Sequence, residues 1–181
     1  MSYKVPALKQ LVARATQALT LAEVKLYLRV DGTAEDAFIT ELIDAATEMF
    51  ECYTRCSLLT QTWQQAYDEY MPCKVALSRG PVQAINQVRV VAQDGTITII
   101  PNTDYTLNAG NEFLNTSSEI CGHIVQVEYV AGFGGSTTDI PADIKQGLLS
   151  HIALMFEERI NCIGMPRSVT GIYSKYKKVR L

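Results

Sequence analysis

The hydrophobic pattern of this chain changes its period twice, and that double switch restricts the possible folds more than any single motif. Apolar residues recur at helical spacing up to Tyr53, alternate at period two between Thr60 and Val130, and return to helical spacing from Ile144. Such an order excludes an all-helical or an all-β chain. It predicts an α+β fold, with an early helix pair, a late long helix and a small antiparallel β-sheet between them in sequence. The boundaries read from the pattern are an N-terminal arm over 1–19, the first part of the helical core over 20–56, the β insertion over 57–135, the second part of the core over 136–173, and a basic tail over 174–181.

The early pair has its own start and stop signals. Thr20 with Glu23 three residues on is a capping box, so a helix begins near Leu21, with Leu21, Val24, Leu28 and, one step round, Leu26 as its apolar stripe. Asp31-Gly32 ends it. Thr33 with Asp36 repeats the N-cap logic for a longer helix, whose Ile39, Leu42, Ile43, Ala46, Met49, Phe50 and Tyr53 share one face. Pro141 fits the first turn of the late helix, and Ile144, Leu148, Ile152, Met155, Phe156 and Ile160 carry its stripe to about Ile163, before Gly164 and Pro166. Ser168 to Tyr173 reads as one more short helix.

Between the helices, Thr60 to Tyr67 reads as a polar strand anchored by Trp63. Residues 86–100 form a hairpin around Asp94-Gly95, and Pro101 ends it. Asp104 to Leu107 and Glu112 to Leu114 are short candidate strands, and Ile124 to Val130 is the strongest, with Val125, Val127 and Tyr129 on one face. Gly132-Phe-Gly134-Gly135-Ser136 is not a phosphate loop. It lacks both the GxGxxG spacing and a Lys-Ser/Thr ending, and reads as a flexible exit from the sheet.

Composition narrows the function. Of 181 residues, 48% are hydrophobic and 19% charged, as in an ordinary folded protein, and no apolar run approaches the roughly 20 residues of a membrane-spanning helix. The acid-free N-terminus has no continuous apolar segment that would make it a targeting peptide. Residues 1–22 carry three basic groups and residues 159–181 carry six, with no acid in either segment, so the middle holds all nineteen acidic groups against seven basic ones. Basic ends on an acidic body suit either plain solvated termini, which tolerate any charge, or an interaction tail that meets an acidic protein surface or nucleic acid. Against a nucleic-acid-binding module stand the acidic balance and the lack of a DNA-binding motif.

No catalytic constellation emerges, and no enzyme, metal or cofactor is expected. Cys52, Cys56, Cys73, Cys121 and Cys162 are odd in number and scattered, which argues for a reducing compartment rather than a disulfide framework. Cys52 and Cys56 stand four apart on one helix, yet the two histidines, His123 and His151, fall on a strand and a distant helix. Ser150 and His151 are helix neighbours whose side chains diverge by about 100 degrees, unlike a nucleophile and its base. A Cys/His hydrolase would need Cys121 or another thiol to meet His123 or His151 through the tertiary fold. Glu157-Glu158-Arg159 reads as a solvated helix end.

Several segments, in order, resemble a known family. They are Leu19-Thr-Leu-Ala-Glu-Val-Lys-Leu-Tyr-Leu-Arg-Val-Asp31, the Ala-rich second helix through Tyr53-Thr54, Leu58-Leu-Thr-Gln-Thr-Trp63, Leu77-Ser-Arg-Gly-Pro-Val82, Tyr129-Val-Ala-Gly-Phe-Gly134 with Ile140-Pro-Ala-Asp-Ile-Lys-Gln146, and the basic, apolar-ended Tyr176 to Leu181. Together they resemble the head–tail connector, or adaptor, proteins of long-tailed double-stranded DNA phages, prophages and gene-transfer particles. The resemblance implies a helical core built from the early helix pair and the late long helix, with the small antiparallel β-sheet inserted between them, in a structural virion protein that performs no reaction. Such proteins form a homo-oligomeric ring, dodecameric when assembled, beneath the portal protein. The ring extends a channel through which double-stranded DNA passes without sequence-specific binding, and it receives the next, stopper-type neck or tail protein. The place implied is the virion neck, reached by assembly in the bacterial host cytoplasm, with no membrane involved. In the family the C-terminal segment docks on the portal, which here falls on Tyr173, Lys175, Tyr176, Lys177, Lys178, Val179, Arg180 and Leu181. Another neck or tail assembly protein is the nearest alternative.

Overall fold

In the computed structural model, which describes residues 6–110, 112–158 and 165–178, the capping box at Thr20 forms as its spacing predicts. The Glu23 N–H donates to the Thr20 hydroxyl at 3.2 Å and the Thr20 N–H donates to the Glu23 carboxylate at 2.9 Å, which starts helix α1 (Leu21–Leu28). The bonds that the Glu23 carboxylate accepts from the Thr20 N–H and, at 2.7 Å, from the Thr20 hydroxyl hold this carboxyl below its ordinary range. Arg29 closes the helix in the left-handed conformation, two residues before the expected Asp31-Gly32 stop. Val24 is buried, whereas Leu26 is 82% exposed: at 100 degrees per residue it stands two steps from Val24 and misses the stripe.

Helix α2 (Asp36–Thr54) starts two residues later than a Thr33 cap implies, with Glu35 in the cap position and no side-chain cap bond. Asp36 serves another purpose. Its carboxylate takes the Lys25 ammonium at 2.5 Å, and Lys25 also donates to the Gly32 carbonyl, so the pair ties α1 to α2 across the intervening turn. Ile39, Leu42, Ile43, Ala46 and Phe50 are buried along α2, with Met49 and Tyr53 at the margin. Helix α3 (Ala142–Glu158) buries Ile144, Leu148, Ile152 and Met155, and the short α4 (Arg167–Tyr173) buries Val169 and Tyr173. Ile160 and the expected end of the late helix near Ile163 lie outside the described residues, as does Cys162.

The chain divides into two compact units with separate cores. One comprises Arg14–Leu59 and Phe133–Arg180 and contains the four helices; the other comprises Met1–Ala13 and Thr60–Gly132 and contains the strands. The fold class is α+β, with all strand pairing antiparallel. A five-stranded sheet runs in the order β1-β2-β8-β4-β5, formed by β1 (Ala7–Val12), β2 (Gln61–Met71), β4 (Val82–Val91), β5 (Ile97–Ile100) and β8 (Ile120–Ala131). Its central strand β8 turns Val125, Val127 and Tyr129 into the core, as their alternation predicts. A second sheet, β3-β7-β6, is formed by β3 (Lys74–Ala76), β6 (Tyr105–Leu107) and β7 (Phe113–Thr116).

Three features depart from the sequence reading. Residues 7–12, within the expected arm, form the edge strand β1 against β2. One sheet was expected and two are present, because Val75 supplies a buried residue in a strand of only three, too short to show a period. The exit after β8 is closely packed rather than loose. Ser136 and Asp139 form a capping box around a 3-10 turn (Thr137–Asp139), and a Cβ on Gly134 would lie 2.4 Å from the Asp139 Cβ, so only glycine fits.

Candidate functional site

The residues expected to dock on a partner begin inside the helical core. Tyr173, the last residue of α4, is fully buried, its ring edge-on to Phe50 at 4.7 Å between centroids. Gly147 on α3 makes that position possible, since a Cβ there would approach the Tyr173 ring to 2.8 Å. Burial pushes the Tyr173 phenol well above its ordinary pKa. Among the described residues, neither its hydroxyl nor either ring nitrogen of buried His151, 6.1 Å away between rings, has a hydrogen-bond partner. His151 is thus a core residue of α3, and burial holds its imidazole pKa below the ordinary 6.5.

From Tyr173 the chain continues through a 3-10 turn (Ser174–Tyr176) that lies along the helical unit. Asp143, in the first turn of α3, gathers this turn. One carboxylate oxygen accepts from the Tyr176 hydroxyl at 2.7 Å and from the Ile144 N–H at 3.0 Å, while the other stands 4.0 Å from the Lys175 ammonium. Desolvation, reinforced by the bond to Asp143, pushes the Tyr176 phenol up to about 12. The Tyr176 ring meets Phe133 edge-on at 6.0 Å.

The C-terminal end of α2 supplies the remaining anchors. The Cys56 thiol donates to the Tyr176 carbonyl at 3.3 Å, and the Lys178 N–H donates to the Thr54 carbonyl at 2.9 Å. Thr54 is the last residue of α2, so Lys178 satisfies a carbonyl that the helix itself leaves open. The Lys177 ammonium lies over the Tyr53 ring, 4.8 Å from its centroid. What this segment offers to a partner is therefore unequal. Tyr173 is closed off, Tyr176 and Lys178 are half-buried, and Lys177 and Lys175 are exposed, the Lys175 side chain by 67%. Val179, Arg180 and Leu181 lie outside the described residues.

The sequence reading did not identify Asp143, Tyr53, Thr54 or Cys56 as supports of this segment. Cys56, considered with Cys52 as a thiolate pair, is buried and bonded to backbone, while Cys52 is exposed. Among the described residues, no three of His, Cys, Asp and Glu are grouped to hold a metal ion, and no helix is long and apolar enough to cross a membrane.

Comparison with known proteins places this geometry in context. A family model described as head completion protein matches residues 17–172, which ends one residue before Tyr173. No curated protein matches the chain. Among solved structures, the chain is similar to one in the neck of an empty gene transfer agent (GTA) particle computed with C6 symmetry, with 23% identity, a TM-score of 0.83 and 97% of each chain covered. It is also similar to one in the neck of the native GTA particle computed with C12 symmetry, at 22% identity, TM-score 0.81 and 97% coverage of each chain. A third, from the virion of the native GTA particle, gives 24% identity, TM-score 0.80 and 96% coverage of each chain.

Proposed function

We propose that this chain, which belongs to the head completion protein family, is a structural subunit of the neck of a tailed particle. It acts as an adaptor: copies form a ring beneath the portal protein, extend the DNA channel and receive the next neck or tail component. The observation that carries the reading is the family match over residues 17–172, and the fold shared along 97% of the chain with neck subunits supports it. Assembly takes place in the bacterial host cytoplasm and ends in the virion neck. The role needs binding surfaces and no reaction. Twelve-fold closure suits it, because a closed rotation turns one modest heterologous contact into a stable assembly.

Within this role the C-terminal segment Tyr173–Leu181 is the portal-binding element. Tyr173 and Tyr176 hold it to the helical unit, and Lys175 and Lys177 present charge to an acidic surface on the portal. Val179, Arg180 and Leu181 continue the same basic and apolar pattern in sequence. Two truncations separate anchoring from folding. Deletion of 179–181 is expected to weaken co-sedimentation with portal-bearing heads, because it removes the basic and apolar end of the segment while leaving Lys175 and Lys177 in place. Deletion of 174–181 is expected to lower the midpoint as well, because it removes the Tyr176–Asp143 and Lys178–Thr54 bonds. If both shortened proteins co-sediment with heads as the full chain does, the segment is not the anchor.

A further inference from the structure

The five-stranded sheet has two open edges, and one of them lacks the devices that keep an edge strand solitary. Among the described residues, strand β5 pairs with β4 alone, in the register Val88↔Ile100, Arg89↔Ile99, Val90↔Thr98 and Val91↔Ile97, without a bulge. The Ala92 N–H donates to the Thr96 carbonyl, so ladder alternation places the next bonded pairs at Val90/Thr98 and Val88/Ile100. The N–H and C=O groups of Ile97 and Ile99 therefore point away from β4. Their side chains are 56% and 63% exposed, and Ile97–Ile100 contains no charge and no proline. An apolar edge with free backbone groups is a template for another strand.

At the far edge of the same sheet, β1 pairs only with β2 and is exposed along all six residues, with Val12 59% exposed beside Leu8 and Leu11. The two edges also differ in charge. Strand β1 holds Lys9 and no acid, whereas residues 92–104, which include the hairpin turn and β5, hold Asp94 and Asp104 and no base. A head-to-tail ring requires two different, complementary patches on every subunit, and opposite edges of one sheet supply such a pair.

We propose that β5 of one copy pairs with β1 of the next, so that the sheets of neighbouring subunits join edge to edge around the ring. This rests on the ring reading above and names the surface that closes it. Main-chain hydrogen bonds provide the affinity, as in other strand additions. Ile97 and Ile99 against Leu8, Leu11 and Val12 provide the apolar contact, and the opposite charges select the other edge over a like one. A foreign partner that fits one edge leaves the other open. Further copies cover both kinds of edge at every subunit but the two at the ends, and ring closure joins those two.

The test uses assembled particles carrying the full chain with a photoreactive residue in place of one edge side chain, Ile99→p-benzoyl-phenylalanine in one preparation and Val12→p-benzoyl-phenylalanine in another. Irradiation is expected to give covalent subunit pairs, with the probe at 99 attached within residues 7–12 and the probe at 12 attached within residues 96–100. The double substitution Ile97→Lys with Ile99→Lys is expected to lower incorporation into necks about tenfold while circular dichroism stays unchanged, since it sets added lysines against a basic strand. Subunits that are present in necks but cross-link elsewhere, or only to a different neck protein, overturn this pairing and leave the neck role standing. Absence of the unsubstituted subunit from necks overturns the neck role and this pairing with it.

Discussion

At the scale of single residues, the buried polar groups divide into those with partners and those without, and they respond differently to change. Gln65 is fully buried yet occupied, donating to the Ala76 carbonyl at 2.9 Å and accepting from the Ser78 N–H at 2.9 Å. His151 is buried with both nitrogens unpartnered. Its folded pKa lies below the ordinary 6.5, so below that pH the unfolded chain takes up a proton that the folded chain refuses. The stability contributed by the neutral imidazole is therefore complete above about pH 6.5 and falls with pH until the folded imidazole protonates as well. In His151→Leu, stability at neutral pH is expected to be equal or higher, because no buried nitrogen is left unpaired, and the decline below about pH 6.5 to be shallower. Denaturant titrations of both proteins across that range measure it, and equal slopes would remove His151 as the cause. The sequence placed His151 on a helix and away from catalysis, but its aromatic neighbour in the core, Tyr173, stands more than twenty positions along the chain.

At the scale of elements, close approach rather than propensity sets the packing of α4 on α3. Gly147 lies inside α3, where alanine would favour the helix by about 1 kcal/mol. A Cβ there meets the Tyr173 ring at 2.8 Å and the Ile172 side chain at 3.3 Å, and Tyr173 is held on its other side by Phe50. Gly147→Ala is thus expected to destabilise the protein by ~1–3 kcal/mol of overpacking despite the better helix former. A thermal or chemical midpoint that rises instead would show that α4 moves freely. Helices with long stripes were legible in the sequence, as in α2, where Ile39 to Phe50 repeat often enough to define a face. Strands β1 and β3 were not. Ala7–Val12 mixes Lys9 and Gln10 with aliphatics on an edge exposed throughout, so burial leaves no alternation to read. The Thr33–Asp36 cap misled for a related reason: Lys25, eleven residues away, captures the carboxylate.

At the scale of the whole molecule, the order of elements was legible and the support of the C-terminal segment was not. The segment's charge is written in consecutive residues, but its anchoring requires Asp143 and the end of α2, which only the folded chain brings to Tyr176 and Lys178. Under the proposed role, the body of the chain serves assembly and the exposed lysines beyond Tyr173 serve attachment. That role rests on the claim that the subunit sits in the neck of the particle. Electron microscopy of particles whose copies of this subunit carry a label tests that claim most directly: the account predicts a ring of label at the junction of portal and tail, and label on the capsid shell, along the tail or at its tip would contradict it.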